Sequence, residues 1–292
     1  MSALSAAVVL ASAGRPALLA AAMRDVDAQT HQPAQRILSV PDAASLPGDT
    51  SGWTAVIGTR GLAAQRNAGL DAVERDIDVV LFFDDDAVVR ADYVARALDV
   101  FENAPAVVGL TGRVLLDGAA HSAGEVSVQD ANAALAASWE APLTGATSPR
   151  RTLYGCNFAV SRSLAQELRF DDRLPLYSWL EDHDFARRLQ RHGTLVRADD
   201  CVIVHRGATS GGRTNHVRLG YSQFMNPVYL ARAGSFPVWL SAWEIFRPVA
   251  RNLALAAGGA QAPWRRERVR GNALAFRDAV RGRITPERIV EL

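Results

Sequence analysis

The chain has 292 residues, of which 49% are hydrophobic and 22% are charged, values typical of a folded globular protein and not of a disordered one. Its 32 basic and 31 acidic residues nearly balance, so a formal net charge of +1 provides no overall attraction to nucleic acid. Every basic residue is an arginine, which excludes a lysine nucleophile and the lysine of a P-loop.

The first part of the chain alternates short apolar runs with helical patterns. The apolar runs predict strands at 6–11, 36–40, 53–57, 79–83 and 107–110. The helical patterns cover 17–28, 62–73 and 93–101, the last with Asp92 as its N-cap. This order predicts an α/β fold with a mostly parallel sheet between helices. Such sheets bind ligands at the carboxyl ends of their strands, where we expect Ser12–Arg15, Asp42, Gly58–Arg60 and Asp84–Asp86.

The pattern is less regular beyond residue 128. We expect a mobile Ala-rich and polar stretch at 129–150, a strand at 152–160 and a short helix capped by Ser163. A helix at 179–191, a strand at 202–204 and helices from His216 to the end follow. We therefore predict an α/β domain at 1–212 and a helical extension at 213–292.

The N-terminal segment and the cysteines bear on the compartment. The first apolar run has no basic residues before it and is interrupted by Arg15-Pro16, so it predicts a strand and not a signal peptide. No apolar stretch reaches membrane-spanning length. Two cysteines, Cys156 and Cys201, do not make a disulfide framework, and we expect a cytoplasmic protein.

The aspartates at 84–86 follow the buried run Val79–Phe83. Three adjacent carboxylates repel one another unless water solvates them or a cation neutralises them. Strand alternation places Asp84 and Asp86 on one face, where they would suit a hard divalent cation such as Mg²⁺. A solvated acidic turn is the alternative, but the position at a strand end favours a cation site.

A second acidic run, Glu181-Asp182-His183-Asp184, opens the helix predicted at 179–191. Acids at a helix N-terminus stabilise the helix through its dipole, and that capping role is one interpretation. Apolar residues three, four and seven positions after Asp182 indicate, however, that Asp182 faces the protein interior. A partly desolvated carboxylate there would have a raised pKa and suit a general base, a role that Glu181 could share.

Two further side chains are candidates at the same rim. His205 ends a strand beside a glycine-rich loop and is either structural or a third metal ligand, and a histidine ligand favours Mn²⁺ over Mg²⁺. Arg66 is either a surface helical arginine or a partner of a diphosphate or a base edge.

Taken together, these segments resemble glycosyltransferase family 2, the inverting enzymes with the GT-A fold, over about residues 7–207. The opening strand, Arg15-Pro16 and Gln29-Thr30 are similar to the N-terminal pattern of that family. The remaining matches are Gly61…Arg66-Asn67-Ala68-Gly69, Asp84-Asp85-Asp86, Gly155–Ala159 with Phe170-Asp171, Glu181–Asp184 and His205. The chain departs from the pattern after the second strand, where Pro41–Ser45 replaces a longer acidic turn and leaves Asp42 to bind the base.

The resemblance implies a single displacement at the anomeric carbon of a nucleotide-diphosphate sugar, with inversion. The implied metal ligands are Asp86, Asp84 and His205, with Mn²⁺ or Mg²⁺ facing the leaving diphosphate. Asp182, or Glu181 as the alternative, is the implied catalytic base. The donor would meet Ser12, Arg15, Asp42, Arg66, Asp84 and Asp85, and the acceptor would meet Trp179 and Asn157. The family's bacterial rhamnosyltransferase-like members suggest a role in cell-wall or surface glycan synthesis.

The C-terminal segment is strongly basic. From Ile245 to Leu292 there are ten arginines and four acidic residues, a net charge of +6 interleaved with aromatic and aliphatic side chains. Such a composition is typical of a helix that lies on an anionic membrane surface, and equally of a solvated helical extension packed on the core. Peripheral contact with the inner face of the cell membrane would suit a glycan or lipid-linked acceptor.

Two other functions remain open from the sequence. A sugar-phosphate nucleotidyltransferase would also combine such a sheet with acidic metal ligands, and Ser12–Arg15 is a thin version of its phosphate loop. A non-catalytic carbohydrate- or membrane-binding module would tolerate loss of Asp182. The core offers no support for a nucleic-acid partner.

Overall fold

The computed structural model describes residues 4–119, 124–208 and 215–292. Within these ranges the strands are β1 Ala6–Ala11, β2 Gln35–Val40, β3 Thr54–Ile57, β4 Val79–Asp84, β5 Ala87–Val89, β6 Val107–Asp117, β7 Thr147–Arg150, β8 Asn157–Ser161 and β9 Thr194–His205. The helices are α1 Pro16–Asp27, α2 Leu62–Asp71, α3 Tyr93–Asn103, α4 Val128–Ala137, α5 Arg162–Leu168, α6 Glu181–Leu189, α7 His216–Ala233, α8 Val238–Ala256 and α9 Ala262–Val280.

The strands form one sheet in the order β3-β2-β1-β4-β8-β6-β9-β5, with β7 paired to β9. The predicted α/β class is confirmed, and β1 to β4 are parallel as expected. Beyond β4 the sheet is mixed, because β8 runs antiparallel to both β4 and β6. β8 enters the sheet from a loop and not from a crossover helix, so it is free to run in the opposite direction.

The core lies on both faces of this sheet. Alternate residues of β1 divide between the faces: Val8 and Leu10 pack with α1 and α3, whereas Ala7 and Val9 pack with α2 and α6. All six residues of β1 are buried, as its uninterrupted apolar run predicts for a central parallel strand. The apolar core therefore extends to the carboxyl edge of the sheet, where the polar side chains begin.

Several element predictions for the second half were wrong. The stretch at 129–150 is not a loop but contains α4 and β7. The strand expected at 152–160 begins only at Asn157, and β9 starts eight residues before the predicted Val202. The helix expected from Trp179 starts at Glu181, because Leu180 has a positive φ of 72° that no α-helix continues through.

The helix caps also differ from expectation. Asp92 occupies the N-cap position of α3, but its carboxylate makes no capping hydrogen bond and instead pairs with Arg90 and Arg96. Ser163 lies inside α5, whose N-cap position belongs to Ser161. Both residues mark the start of a helix without capping it.

The C-terminal helices α7, α8 and α9 pack on one another, as the helical pattern after His216 predicts. Gly220 of α7 and Gly271 of α9 let the two helices touch, because a Cβ on either glycine would lie 2.1 Å from a backbone oxygen of the other helix. None of the described helices is both long and apolar enough to cross a membrane. The domain boundary predicted at 212–213 lies at residues outside the described ranges.

Candidate active site

Polar side chains gather where β1, β4, β6 and β9 end. Ala11 of β1 pairs with Asp84 of β4, so Ser12 and Asp85 leave the sheet side by side. Ala87 of β5 pairs with His205, the last residue of β9, which brings that histidine back to the aspartates. These residues therefore lie together at the carboxyl ends of the strands, where the rule applied to the sequence predicts a ligand site.

Asp85 points away from its two neighbours and into the loop between β1 and α1. Its carboxylate lies 2.5 Å from Ser12 Oγ and 2.5 Å from Arg15 Nη2, and its side chain is completely buried. Burial raises the pKa of Asp85 to about 7, although Arg15 and Ser12 act to lower it. Asp85 thus fixes the position of Ser12 and Arg15, and the expected direct contact of Asp85 with a donor is wrong because the carboxylate is enclosed.

Asp84, Asp86 and His205 converge on one point. Each offers a ligand atom, and the three atoms lie within 4.8 Å of one another. His205 Nε2 is 3.5 Å from Asp86 Oδ1, while the Ala208 amide donates a 2.7 Å hydrogen bond to Asp86 Oδ2. Two carboxylates and an imidazole at this spacing could hold a divalent cation such as Mn²⁺.

Two residues that the sequence did not identify orient this histidine. Asp117 Oδ1 lies 2.9 Å from His205 Nδ1, and the Tyr154 hydroxyl donates a 2.7 Å hydrogen bond to Asp117 Oδ2. Burial opposes the charged form, but the hydrogen bonds from His205 and Tyr154 lower the pKa of Asp117 to about 2. A carboxylate on Nδ1 leaves Nε2 free to face Asp86, the arrangement that metal-binding histidines commonly show.

Arg66 lies beneath the site and not on its surface. Its side chain is 1% exposed, with Nη1 2.5 Å from Glu181 Oε1 and Nη2 3.2 Å from Asp84 Oδ1 and 2.6 Å from the Gly155 carbonyl oxygen. The guanidinium also stacks over the ring of Phe158 at 5.1 Å. The expected contact with a diphosphate, and the alternative of a surface arginine, are both wrong, because every face of the guanidinium is covered.

The two acids that open α6 have different surroundings. Glu181 is 3% exposed, and its Oε2 has no hydrogen-bond partner within the described part of the chain. Burial raises the pKa of Glu181 to about 8; Arg66 opposes the rise, and Asp182 and Asp84 add to it. Asp182 is half-buried and accepts hydrogen bonds from the Gly155 amide at 3.0 Å and from its neighbour His183 at 2.8 Å. The raised pKa that the helix pattern suggested for a base is therefore found on Glu181.

The segment before α6 is bent into an unusual path. Leu176, Ser178 and Leu180 all have positive φ values, which non-glycine residues rarely adopt and which concentrate at functional sites. This path is held by hydrogen bonds to the start of α2, where the Leu62 amide donates to the Leu176 carbonyl at 2.8 Å. The segment leads into α6, where Glu181 contacts Arg66 and Asp182 contacts Gly155.

The remaining sequence-predicted residues fall in different places. Asp42 is half exposed and lies 3.5 Å from Arg60, at the rim as expected. Asn157 is fully buried, with its Oδ1 accepting hydrogen bonds from Tyr93 and Gly112, so its predicted contact with an acceptor is wrong. Trp179 packs partly against α7 beside the acidic run and stays a predicted acceptor contact.

The acidic motifs and His205 all fall within residues 79–221, which match the family model described as "Glycosyl transferase family group 2". This matched stretch is a glycosyltransferase family 2 domain. The matched stretch makes up about half of this glycosyltransferase and runs from the start of β4 into α7. No curated protein sequence matches the chain.

Solved structures share the fold of this glycosyltransferase. The structure of GalNAc-T7 with UDP, GalNAc and Mn²⁺ superposes with a TM-score of 0.56 at 14% identity, covering 92% of this chain and 54% of that one. A Pyrobaculum calidifontis mannosyltransferase with GDP-Man and Mn²⁺ gives 0.53 at 16% identity, covering 99% and 88%. TarS 1–349 of S. aureus gives 0.56 at 11% identity, covering 98% and 89%. The chain thus has the predicted GT-A fold and spans about half the length of the GalNAc-T7 chain.

Proposed function

We propose that this protein is a metal-dependent, inverting glycosyltransferase that moves a sugar from a nucleotide-diphosphate sugar to an acceptor hydroxyl. The observation that carries the proposal is the position of two kinds of carboxylate on either side of Gly155. The Gly155 amide binds Asp182, and its carbonyl accepts from Arg66, which also holds Asp84 of the cation cluster. Gly155 and Arg66 therefore connect Asp84, a candidate cation ligand, to Asp182, the candidate base.

The residues present fit a divalent cation. Asp84, Asp86 and His205 would hold it, because their ligand atoms are close together and Asp117 already orients the imidazole. When bound, such an ion neutralises the charge that develops on a leaving nucleoside diphosphate. The mannosyltransferase and GalNAc-T7 structures, both of which contain Mn²⁺ and a nucleotide or nucleotide sugar, support this assignment.

Asp182 is the proposed catalytic base. It remains half-buried, so an acceptor hydroxyl can reach it, and the hydrogen bonds from Gly155 and His183 fix the carboxylate in one orientation. Gly155 lies close against it, since a Cβ there would be 3.0 Å from Asp182 Oδ2 and would push the carboxylate aside. Glu181, the alternative base, is enclosed and bound to Arg66, which makes it a positioning residue for α6.

The donor would occupy the edge between β1 and β3. Ser12 and Arg15 are held there by Asp85, and Arg15 keeps part of its guanidinium exposed to receive phosphate oxygens. Asp42 and Arg60 form an open pair at the end of β2 and β3, where a base edge can meet hydrogen-bonding groups. Two nucleotides occur among the solved relatives, UDP and GDP, and both belong in a donor screen.

We further propose that residues 1–212 bind the donor and carry out catalysis, and that residues 213–292 contact the inner face of the cell membrane peripherally. The net charge of +6 between Ile245 and Leu292 supports this location. A lipid-linked glycan acceptor in cell-wall or surface-glycan synthesis would be presented at that surface, with Trp179 as its nearest aromatic contact.

The product tests the proposal. Purified protein is incubated with UDP- and GDP-sugars in the presence and absence of Mn²⁺, and the released nucleotide is identified by chromatography. Mn²⁺-dependent release of nucleoside diphosphate, with the opposite anomeric configuration in the product by NMR, is the expected result. Release of pyrophosphate from a sugar phosphate and a nucleoside triphosphate would instead identify a nucleotidyltransferase. Binding of a glycan without turnover of any donor would identify a binding module.

A further inference from the structure

Helix α8, Val238–Ala256, buries polar side chains and exposes large apolar ones. The side chains it buries include Ser241, Glu244 and Asn252, with exposed fractions of 5%, 5% and 0%. Five of its large apolar side chains are exposed: Val238, Trp239, Trp243, Phe246 and Leu253. A helix packed on a water-soluble core shows the opposite arrangement.

Hydrogen bonds on the inner face fix this orientation. Asn252 Nδ2 donates to Gln223 on α7 at 2.9 Å and to Asn272 on α9 at 3.1 Å, while Asn252 Oδ1 accepts from Arg265 at 2.7 Å. Ser241 Oγ donates to the Pro227 carbonyl at 2.6 Å. Turning α8 to hide its aromatic side chains would leave these buried polar groups without partners.

The outward face is continuous and aromatic. Trp239, Trp243, Phe246 and Leu253 recur at helical spacing, and the first three are 63%, 51% and 63% exposed. The rings of Trp243 and Phe246 stack at 6.2 Å, so they present one surface. A contiguous apolar patch of this kind marks a binding surface and not an ordinary solvated helix.

The charged residues of α8 indicate what kind of surface its exposed apolar face would bind. Within α8 the only acidic residue, Glu244, is buried and bound by Arg247, whereas Arg247 and Arg251 are exposed. Two copies of α8 packed face to face would bring these arginines together without exposed acids on the helix to pair them. An anionic surface pairs with them instead.

We propose that the outward face of α8 inserts into the interfacial layer of an anionic lipid bilayer, with the helix parallel to the membrane plane. α8 is 19 residues long and is not apolar enough to cross the bilayer. Tryptophans beside arginines are the side chains that settle between lipid head groups and acyl chains. This inference rests on the membrane contact proposed above and assigns it to one helix and three aromatic anchors.

The same helix is connected to the acceptor side of the site. Ser241 of α8 binds the carbonyl of Pro227 on α7, and the adjacent Asn226 donates a 2.9 Å hydrogen bond to the Trp179 carbonyl. Trp179 lies two residues before Glu181, where α6 begins. Insertion of α8 would therefore hold the acceptor segment one helix layer above the lipid head groups.

Vesicle sedimentation of the full chain tests the inference. Wild type is compared with the variant Trp239→Ser/Trp243→Ser/Phe246→Ser on vesicles of phosphatidylglycerol and phosphatidylcholine, and on phosphatidylcholine alone. We expect wild type to bind the anionic vesicles, and the variant to bind at least about 30-fold more weakly. Leu143→Ser, which removes an apolar side chain that is 51% exposed outside the C-terminal helices, is the matched control and should bind as wild type does.

The charge contribution is measured separately with Arg247→Gln/Arg251→Gln. This variant should lose about tenfold in affinity for anionic vesicles and become less sensitive to salt. Unchanged binding by the aromatic variant would overturn the inference, as would a concentration-dependent wild-type dimer that the same substitutions abolish in the absence of lipid. The aromatic variant should still release nucleoside diphosphate in solution, because its three substituted side chains are exposed and are not among the proposed site residues. A loss of vesicle binding can therefore be told apart from a loss of enzyme activity.

Discussion

The acidic runs at 84–86 and 181–184 are alike in sequence and also in structure. In each run one carboxylate is enclosed by an arginine and another is not. In the first run, Asp85 is enclosed by Ser12 and Arg15, while Asp84 and Asp86 face His205. In the second, Glu181 is enclosed by Arg66, while Asp182 is half-buried and held by backbone amides. In each run an arginine encloses one carboxylate, which leaves two carboxylates of the first run and Asp182 of the second for the proposed chemistry.

The comparison also shows a difference between the runs. The cation cluster is supported by a further carboxylate, Asp117, which orients His205. Helix α6, which carries the proposed base, is supported by a buried arginine that links Glu181 to Asp84. At the cation cluster, a hydrogen bond to Asp117 orients His205. At α6, the buried charges of Arg66, Glu181 and Asp84 hold one another in place.

Asp182→Asn should give the largest effect. The amide keeps the size of the side chain but cannot accept a proton, so we expect glycosyl transfer to fall about 10³-fold, equivalent to about 4 kcal/mol. Mn²⁺-dependent nucleotide binding should be unchanged. The control is Asp172→Asn, an exposed acid outside α6. Transfer within a factor of three of wild type would assign the base elsewhere.

Arg66→Met should destabilise the fold. Removing the guanidinium leaves the Glu181 and Asp84 carboxyl groups and the Gly155 carbonyl without a buried donor, so unfolding should become easier by about 3 kcal/mol. Thermal denaturation should show a melting temperature lower by about 8 °C. Arg36→Met breaks the more exposed pair with Asp27 and should cost less than about 1 kcal/mol. An equal loss of stability in Arg66→Met and Arg36→Met would show that the buried charges around Arg66 contribute no more than an exposed ion pair.

Asp117→Asn should weaken cation binding without removing a ligand. The loss of a carboxylate behind His205 should lower Mn²⁺ affinity about 30-fold, measured by calorimetry on the protein without nucleotide. Asp99→Asn changes a more exposed acid on α3 and should leave the affinity unchanged. An Asp117→Asn variant that binds Mn²⁺ as tightly as wild type would show that the histidine needs no such support.

The free energy of unfolding should depend on pH through the buried carboxyl group of Glu181. The pKa of Glu181 in the folded chain is about 8, raised from 4.5, so between these pH values the unfolded chain releases a proton that the folded chain keeps. The free energy of unfolding should therefore fall as pH rises through this range, by about 1 kcal/mol per pH unit from this group. Urea titrations of wild type and Glu181→Gln from pH 5 to pH 8 should show a shallower decline in the variant. The same decline with pH in wild type and in Glu181→Gln would contradict a raised pKa at Glu181.

Much of the sheet and one edge of the site could be predicted from sequence. Apolar runs fixed β1, β2 and β4, and the strand-end rule placed Asp84 and Asp86 together. Asp117 was missed because the strand was expected to end at Leu110. β6 continues through register shifts that interrupt its pairing with β9, and the apolar pattern carries no sign of them.

Other features depend on tertiary packing that periodicity does not report. Arg66 lies on a short helix rich in small residues with no clear apolar face, so its burial could not be told from a surface position. The positive φ values of Leu176, Ser178 and Leu180 occur at residues that do not favour them, and the start of α6 was misplaced for that reason. The spacing of polar residues along α8 is visible in the sequence, but not which face is buried.

Nucleotide binding with and without Mn²⁺ tests the central claim most directly. Melting temperatures of wild type and Asp86→Ala are measured with UDP, GDP and their sugars, because a ligand that binds only the folded chain raises the melting temperature. We expect at least one nucleotide to stabilise wild type only when Mn²⁺ is present, and this shift to disappear in Asp86→Ala. A nucleotide-induced shift that is the same in both proteins, or that does not need the metal, would contradict the cation site at Asp84, Asp86 and His205.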